Sequence, residues 1–224
     1  MLGGTSSPPR TMTKPWPKAV LFDLDDTLWP IAPVIIEAEK ILYAWLASNS
    51  RRPEFQLDLG ALRRAGLIAA FEQAGEDTAK VELAMVEFFA ARNAVIPYDD
   101  VVPGLLRLKS RVRIGSVTNG NADLETIGLA RHFHASVAAH QFGKAKPAPE
   151  IFQAGCAALG VRFSEAVYVG DDLLLDVQGA QRAGLRAVWM NRVGKRNEIP
   201  HLVEPDAEVT SLDELIDWLR REHD

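Results

Sequence analysis

Four short stretches carry the residues whose types and spacing could do chemistry: FDLDDTLW at 22–29, SVTNG at 116–120, GKAKPAPEIF at 143–152 and VGDDLLLD at 169–176. Each lies where an apolar run ends. They supply the carboxylates of Asp23, Asp25, Asp171, Asp172 and Asp176, the hydroxyl of Thr118, the amide of Asn119 and the ammonium of Lys146. Such a set suits transfer of a phosphoryl group with a divalent metal. A carboxylate facing phosphorus can attack it to give an aspartyl-phosphate, which splits one hard displacement into two. Asp23 is the expected nucleophile. Asp25, two residues on, addresses the same mouth and is expected to protonate the leaving alcohol, then to take a proton from the attacking water.

Charge is the obstacle to this chemistry. A carboxylate a few ångströms from a phosphate meets about 4 kcal/mol of repulsion per pair of unit charges at an effective dielectric near 20. Lys146 is one remedy. The other is a hard-oxygen site for Mg²⁺ made by Asp23 with the cluster Asp171, Asp172 and Asp176. Magnesium there would bridge nucleophile and phosphate and offset the charge of the transferring group. Whether Asp172 ligates directly or stands behind the ligands is open, because Mg²⁺ commonly keeps waters. Asp176 is placed to orient Lys146 or the metal's ligands. Thr118 and Asn119, between a strand and a helix, are expected to hold phosphate oxygens together with nearby backbone N–H groups.

Each signal has a plainer reading when taken alone. Two loop aspartates form turns or cap helices. A lysine is usually solvated. Asn119 and Gly120 suit a tight turn, with Asn121 capping the next helix. Four such signals in one chain, each at the end of an apolar run, are hard to produce by accident.

The elements that must position these residues are readable from periodicity. AVLFDL (19–24), VRIGSV (112–117), EAVYVG (165–170) and RAVWMN (186–191) are short apolar runs of the kind buried on both faces of a sheet. Helical patterns lie between and after them: NADLETIGLARHF, PAPEIFQAGCAALG and LLLDVQGAQRAG. Strand alternating with helix predicts an α/β fold, a doubly wound parallel sheet with right-handed crossovers. In such a sheet ligands bind outside the carboxyl ends of the strands. Residues near 23, 118, 146 and 171 are thereby brought to one crevice.

Residues 33–97 break the rhythm. Ile35, Ala38, Ile41, Leu42, Trp45 and Leu46 follow helical spacing, and LGALRRAGLIAAFEQ and KVELAMVEFFAARN continue without a strand. This predicts an all-helical insert between Pro30 and Pro33 on one side and Pro97 and Pro103 on the other. The expected domains are a disordered tail at 1–17, an α/β core at 18–32 and 98–224, and the helical lobe at 33–97.

Composition narrows the function classes. With 47% hydrophobic and 25% charged residues the chain reads as an ordinary globular protein. A net charge of -5 without a Lys/Arg cluster argues against a nucleic-acid partner. No apolar run approaches the roughly 20 residues that span a bilayer. The first residues lack the apolar core of a secretory signal, so a cytoplasmic location is expected. Cys156, the one cysteine, is expected to pack in the core. His132 and His134 are two residues apart, on different sides of a helix, and make a poor metal pair. Arg51, Arg52, Arg63 and Arg64 read as solvated helix faces, and Trp29 as either core or entrance lining.

The residues Asp23-x-Asp25-x-Thr27, Thr118, Lys146 and GDDLLLD at 170–176 resemble the motifs of the haloacid dehalogenase superfamily, from about Lys18 onward. The resemblance implies a Rossmann-like core with a small helical cap that closes over the site. It implies Asp23 as nucleophile and metal ligand, and Asp25 as acid/base, also binding Mg²⁺ through its backbone carbonyl. It implies Thr118 and Lys146 on the phosphate and Asp171 on the metal. DLDDTLWPIAPVI is similar to the branch holding flavin mononucleotide and sugar-phosphate phosphatases.

A Mg²⁺-dependent phosphatase acting on a small phosphorylated metabolite is therefore expected, as a monomer or homodimer. A phosphomutase needs the same aspartates. A true 2-haloacid dehalogenase would have little use for Asp25 or a metal, and a receiver-type phospho-acceptor domain fits poorly with the chain length and the insert.

Overall fold

The computed structural model describes residues 15–31 and 58–223. The expected tail up to residue 14, the helix predicted from Ile35 to Leu46, and Arg51 and Arg52 lie outside the described residues. The sheet has six parallel strands: β1 Ala19–Phe22, β2 Arg113–Thr118, β3 Ala135–Ala138, β4 Ala166–Gly170, β5 Arg186–Met190 and β6 Ala207–Val209, in the order β3-β2-β1-β4-β5-β6. Four of these strands were predicted within a few residues. β3 and β6 were not: β3 is half exposed and reads ASVA, and β6 is three residues long. The run NADLETIGLARHF is likewise not one helix. It divides into Leu124–Ile127, closed by Gly128 at φ 82°, and a 3₁₀ turn at Ala130–His132 that leads into β3. Asp123 caps Leu124–Ile127, where Asn121 was expected to.

Side chains of successive strand residues point to opposite faces, which splits the core into two layers. Val20 and Phe22 of β1 join Ile114, Val167, Val169 and Val188 beneath the helices Val101–Lys109 and Leu212–His223. Ala19 and Leu21 face the other way, with Tyr168, Ala187, Phe152 and Cys156 of the helix Pro149–Ala158. Each fully buried Leu, Val or Phe contributes about 1.5–3 kcal/mol. Cys156 is buried in this layer, and burial pushes its thiol up to about 11. Close approach requires glycine at Gly104, where a Cβ would come within 2.6 Å of Leu212.

The strand order decides where a ligand can sit. From β1 the chain moves outward to β2 and β3, then crosses back to place β4 on the other side of β1. The loops after β1 and β4 therefore diverge and open a crevice at their carboxyl ends. The described part of the insert forms two helices, Leu59–Ala74 and Lys80–Asn93. Asp58 caps the first through Gly60 and Ala61, and Gly75 ends it at φ 71°. Among the described residues no helix is long and apolar enough to cross a membrane.

Candidate active site

Asp23 is the first residue after β1. Its N–H donates to Val169 O of β4 at 2.8 Å, which pins the chain at the switch point. Its side chain is buried, and Oδ1 accepts from Lys146 Nζ at 2.5 Å. Lys146 is buried as well, so the solvated reading of this lysine does not hold. The same ammonium donates to Asp176 Oδ1 at 2.6 Å and to the Tyr168 hydroxyl at 3.2 Å. One cation thus serves two buried carboxylates from opposite sides of the crevice.

Asp176 reaches Lys146 because of how the chain winds after β4. Asp172 caps a turn of π-helix, Leu173–Gln178, with Oδ1 accepting from Leu174 N and Leu175 N at 2.8 Å each. The wide turn brings Asp176 back over Gly170, where a Cβ would lie 2.4 Å from Asp176 Cγ. Only glycine fits there. Asp176 Oδ2 then accepts from Asp172 N at 3.0 Å. Asp171 is held by its backbone: its carbonyl accepts from Trp189 Nε1 at 2.8 Å.

Asp23, Asp171 and Asp176 each offer a carboxylate oxygen, all within 4.8 Å of one another. Burial, above all, raises Asp23 well above the usual carboxylate range; Lys146 pulls it down, while Asp176 and Asp171 add repulsion. Burial and then Asp176 push Asp171 up to about 7. Burial alone would lower the Lys146 ammonium, but Asp176 and Asp23 hold it well above the lysine range. Crowded acids with more negative charge than one lysine can balance are a donor set that a hard divalent cation fits. Asp23 and Asp171 would hold such an ion; Asp176 is within reach of it but shares its oxygen with Lys146.

The remaining predicted residues fall around this centre. Thr118 ends β2, is buried, and its Oγ1 accepts from Gly120 N at 2.9 Å. Asn119 donates through Nδ2 to Lys146 O at 3.1 Å and accepts at Oδ1 from Lys146 N at 2.7 Å. Asp25 is not one of the three clustered carboxylates. Its Oδ1 accepts from Trp29 Nε1 at 2.8 Å, and Arg92 Nη2 lies 2.8 Å from Oδ1 and 2.5 Å from Oδ2. Trp29 is fully buried, so it is core, with its one polar atom spent on Asp25. The tight turn that presents Asp25 has Asp26 at φ 57°, a left-handed conformation that a short polar side chain tolerates. Asp26 N donates to Trp29 O at 2.8 Å. His132 and His134 stand apart from the site; His134 Nδ1 accepts from Ile114 N.

Sequence reasoning passed over two participants. Tyr168 sits mid-strand among apolar residues, and its hydroxyl meets Val117 O and Asp176 at 3.1 Å each. A tyrosine in a fully buried strand must find a partner for its hydroxyl, which was the available signal. Arg92 closes the insert's second described helix, and no local pattern marks it. The insert also meets the core where Asn121 Nδ2 donates to Asp58 Oδ1 at 3.2 Å and Asp123 N donates to Asn93 Oδ1 at 3.0 Å.

Residues 17–184 match the family described as haloacid dehalogenase-like hydrolase. The chain belongs to this family. As a member of the haloacid dehalogenase-like hydrolases it is 33% identical over 226 residues to the glyceraldehyde 3-phosphate phosphatase of Methanopyrus kandleri, covering 91% of this chain and 97% of that one. It is 29% identical over 196 residues to the 5-amino-6-(5-phospho-D-ribitylamino)uracil phosphatase YigB of Escherichia coli, covering 77% and 82%. A solved 2-haloacid dehalogenase from Pseudomonas syringae has the same fold, with a TM-score of 0.78, 36% identity, and coverage of 91% of this chain and 98% of that one.

Proposed function

We propose that this haloacid dehalogenase-like hydrolase is a Mg²⁺-dependent phosphatase that cleaves a small phosphomonoester through an aspartyl-phosphate on Asp23. The observation that carries this reading is the gathering of Asp23, Asp171 and Asp176 within 4.8 Å around one buried lysine. Attack on a carbon–halogen bond would need the Asp23 nucleophile but no crowd of acids beside it. A dianionic phosphate cannot approach Asp23 unless its charge is offset. Bound Mg²⁺, held by Asp23, Asp171 and the Asp25 carbonyl, would supply that offset.

The chain's own residues then divide the work. An Asp23 oxygen forms a bond to phosphorus as the bond from phosphorus to the ester oxygen breaks. Asp25 gives that oxygen its proton and the alcohol leaves. A water then attacks phosphorus, Asp25 takes its proton, the bond to Asp23 breaks, and inorganic phosphate departs. Thr118 and Lys146 orient the phosphoryl oxygens, and Asn119 positions Lys146. The insert acts as the cap whose closure excludes water and shapes substrate choice.

The phosphatase names of the Methanopyrus kandleri and Escherichia coli relatives support phosphorylated sugars and related metabolites as the substrate class. The experiment is a screen of phosphate metabolites with Mg²⁺, scored for inorganic phosphate, for isomerised sugar phosphate, and for chloride from 2-chloropropionate. Phosphate release abolished by EDTA is the expected result. Chloride release that survives EDTA would replace this reading with the dehalogenase one, and isomerisation without phosphate release would make the protein a mutase.

A further inference from the structure

Arg92 is the last-turn arginine of the helix Lys80–Asn93, and its side chain is nine-tenths buried at the seam between insert and core. Nη2 is spent on both oxygens of Asp25. Nη1 is buried and has no hydrogen-bond partner among the described residues. Leaving a buried donor of a charged group dry is costly, so such an arm points to a partner that arrives from outside. A second observation marks the same place. A Cβ on Gly120 would lie 2.6 Å from Asp25 Oδ2, 3.4 Å from Thr118 Oγ1 and 3.5 Å from Arg92 Nη2. Glycine there lets the acid/base, the phosphate-binding hydroxyl and the guanidinium converge. Arg63 stacks on Phe88 with its guanidinium carbon 3.5 Å from the ring centroid, and burial first, then the Arg92 charge, lowers it from the usual arginine range.

We infer that Arg92 is a specificity residue whose Nη1 receives a carboxylate carried by the alcohol part of the substrate. The inference rests on the phosphatase reading above. Asp25 addresses the ester oxygen in that reading, and Arg92 touches Asp25, so the guanidinium stands beside the leaving group. One unpaired donor arm beside the Asp25 carboxylate matches a single negative charge better than a second phosphate dianion. The preferred substrates are then phosphomonoesters of small hydroxy acids, with the carboxylate a few bonds from the ester oxygen. A planar guanidinium favours carboxylate recognition through directed N–H bonds. A site built for such a bond discriminates strongly against an analogue that cannot complete it.

The test compares kcat/KM with Mg²⁺ for 2-phosphoglycolate and 2-phospholactate against their neutral amides, in the parent, Arg92→Met and Arg92→Lys. The parent is expected to favour the acids by about 10-fold or more, the loss of one charge-assisted hydrogen bond being of this order. Arg92→Met should bring the acid-to-amide ratio close to one, mainly through KM, and Arg92→Lys should fall between. The ratio isolates recognition from any general loss caused by freeing Asp25. Should Arg92→Met fail to fold, Arg92→Lys carries the comparison. A parent ratio near one, or a ratio unmoved in the variants, overturns the role of Arg92 while leaving a phosphatase. Failure of the parent to release phosphate from acids, amides and p-nitrophenyl phosphate alike overturns the phosphatase reading, and this inference with it.

Discussion

Asn119 grips the backbone of Lys146 from both sides, accepting from its N–H at 2.7 Å and donating to its carbonyl at 3.1 Å. The two residues come from different loops, after β2 and before the helix Pro149–Ala158, and this clasp fixes where the lysine side chain starts. Asn119→Ala is expected to lower kcat by about 10- to 100-fold, the range in which mutation of residues that orient ligands acts. Steady-state kinetics with p-nitrophenyl phosphate check it; a parent-like rate would mean that packing alone places Lys146.

Lys146 itself holds two buried carboxylates together. Lys146→Met leaves Asp23 and Asp176 facing each other without a cation, and breaking such a buried set by removing one partner costs about 3–5 kcal/mol. Metal-free protein should melt well below the parent, turnover should be lost, and Mg²⁺ should restore more of the melting temperature in the variant than in the parent. Thermal melts with EDTA and with Mg²⁺ decide this, and equal melting temperatures of parent and variant in EDTA would show the contacts to be weak.

Asp171 gives the stability a pH dependence of definite sign. Its carboxyl is raised to about 7 by burial and then by Asp176, from 3.8 in a solvated chain, and Asp23 is raised in the same sense. The folded protein therefore favours the protonated acids, and the unfolded chain releases those protons earlier. Metal-free stability should fall as pH rises from about 4 to about 7 and stop falling from this source above that. A cation must displace the proton, so its affinity should climb by up to about tenfold per pH unit below 7 and then level. The rise in melting temperature on adding Mg²⁺ should be larger at pH 8 than at pH 5.5. An equal rise at both would contradict the raised acids.

Gly120 leaves no room for a side chain, since its Cβ would stand 2.6 Å from Asp25 Oδ2. Gly120→Ala is expected to push Asp25 off Arg92 and Trp29 and to cut kcat by at least about 10-fold, as small displacements of catalytic groups do. Melting temperature should fall as well, because the displaced carboxylate leaves the buried Trp29 Nε1 and the Arg92 guanidinium without their partner. Kinetics and a melt on the same preparation separate the two effects.

Asp23→Asn removes the nucleophile, because an amide does not attack phosphorus, and should abolish turnover while the protein still folds. Asp25→Asn should slow turnover severely while inorganic phosphate and Mg²⁺ still bind, as isothermal titration would show. A verified Asp23→Asn preparation that turns over normally would refute the covalent route.

The sequence by itself determined the architecture and the address of the site. Short runs such as AVLF and AVYVG are apolar throughout and suit strands buried on both faces, and a parallel sheet delivers its loops to one edge. The positions of Asp23, Thr118 and Asp171 were legible for that reason, each standing at the end of a predicted strand or just past it, whereas Lys146 follows β3, which the sequence did not mark. What the sequence did not determine is which group each side chain meets. The π-turn after Asp172 turns Asp176 back onto Lys146 over Gly170, and the end of a helix far along the chain sets Arg92 on Asp25. The half-exposed β3 and the three-residue β6 lacked any apolar signature of their own and exist because neighbouring strands supply their partners. Periodicity records which way a residue faces within its own element. Contacts between residues 67 apart, as Asp25 and Arg92 are, depend on how the elements pack, and only the tertiary structure decides those.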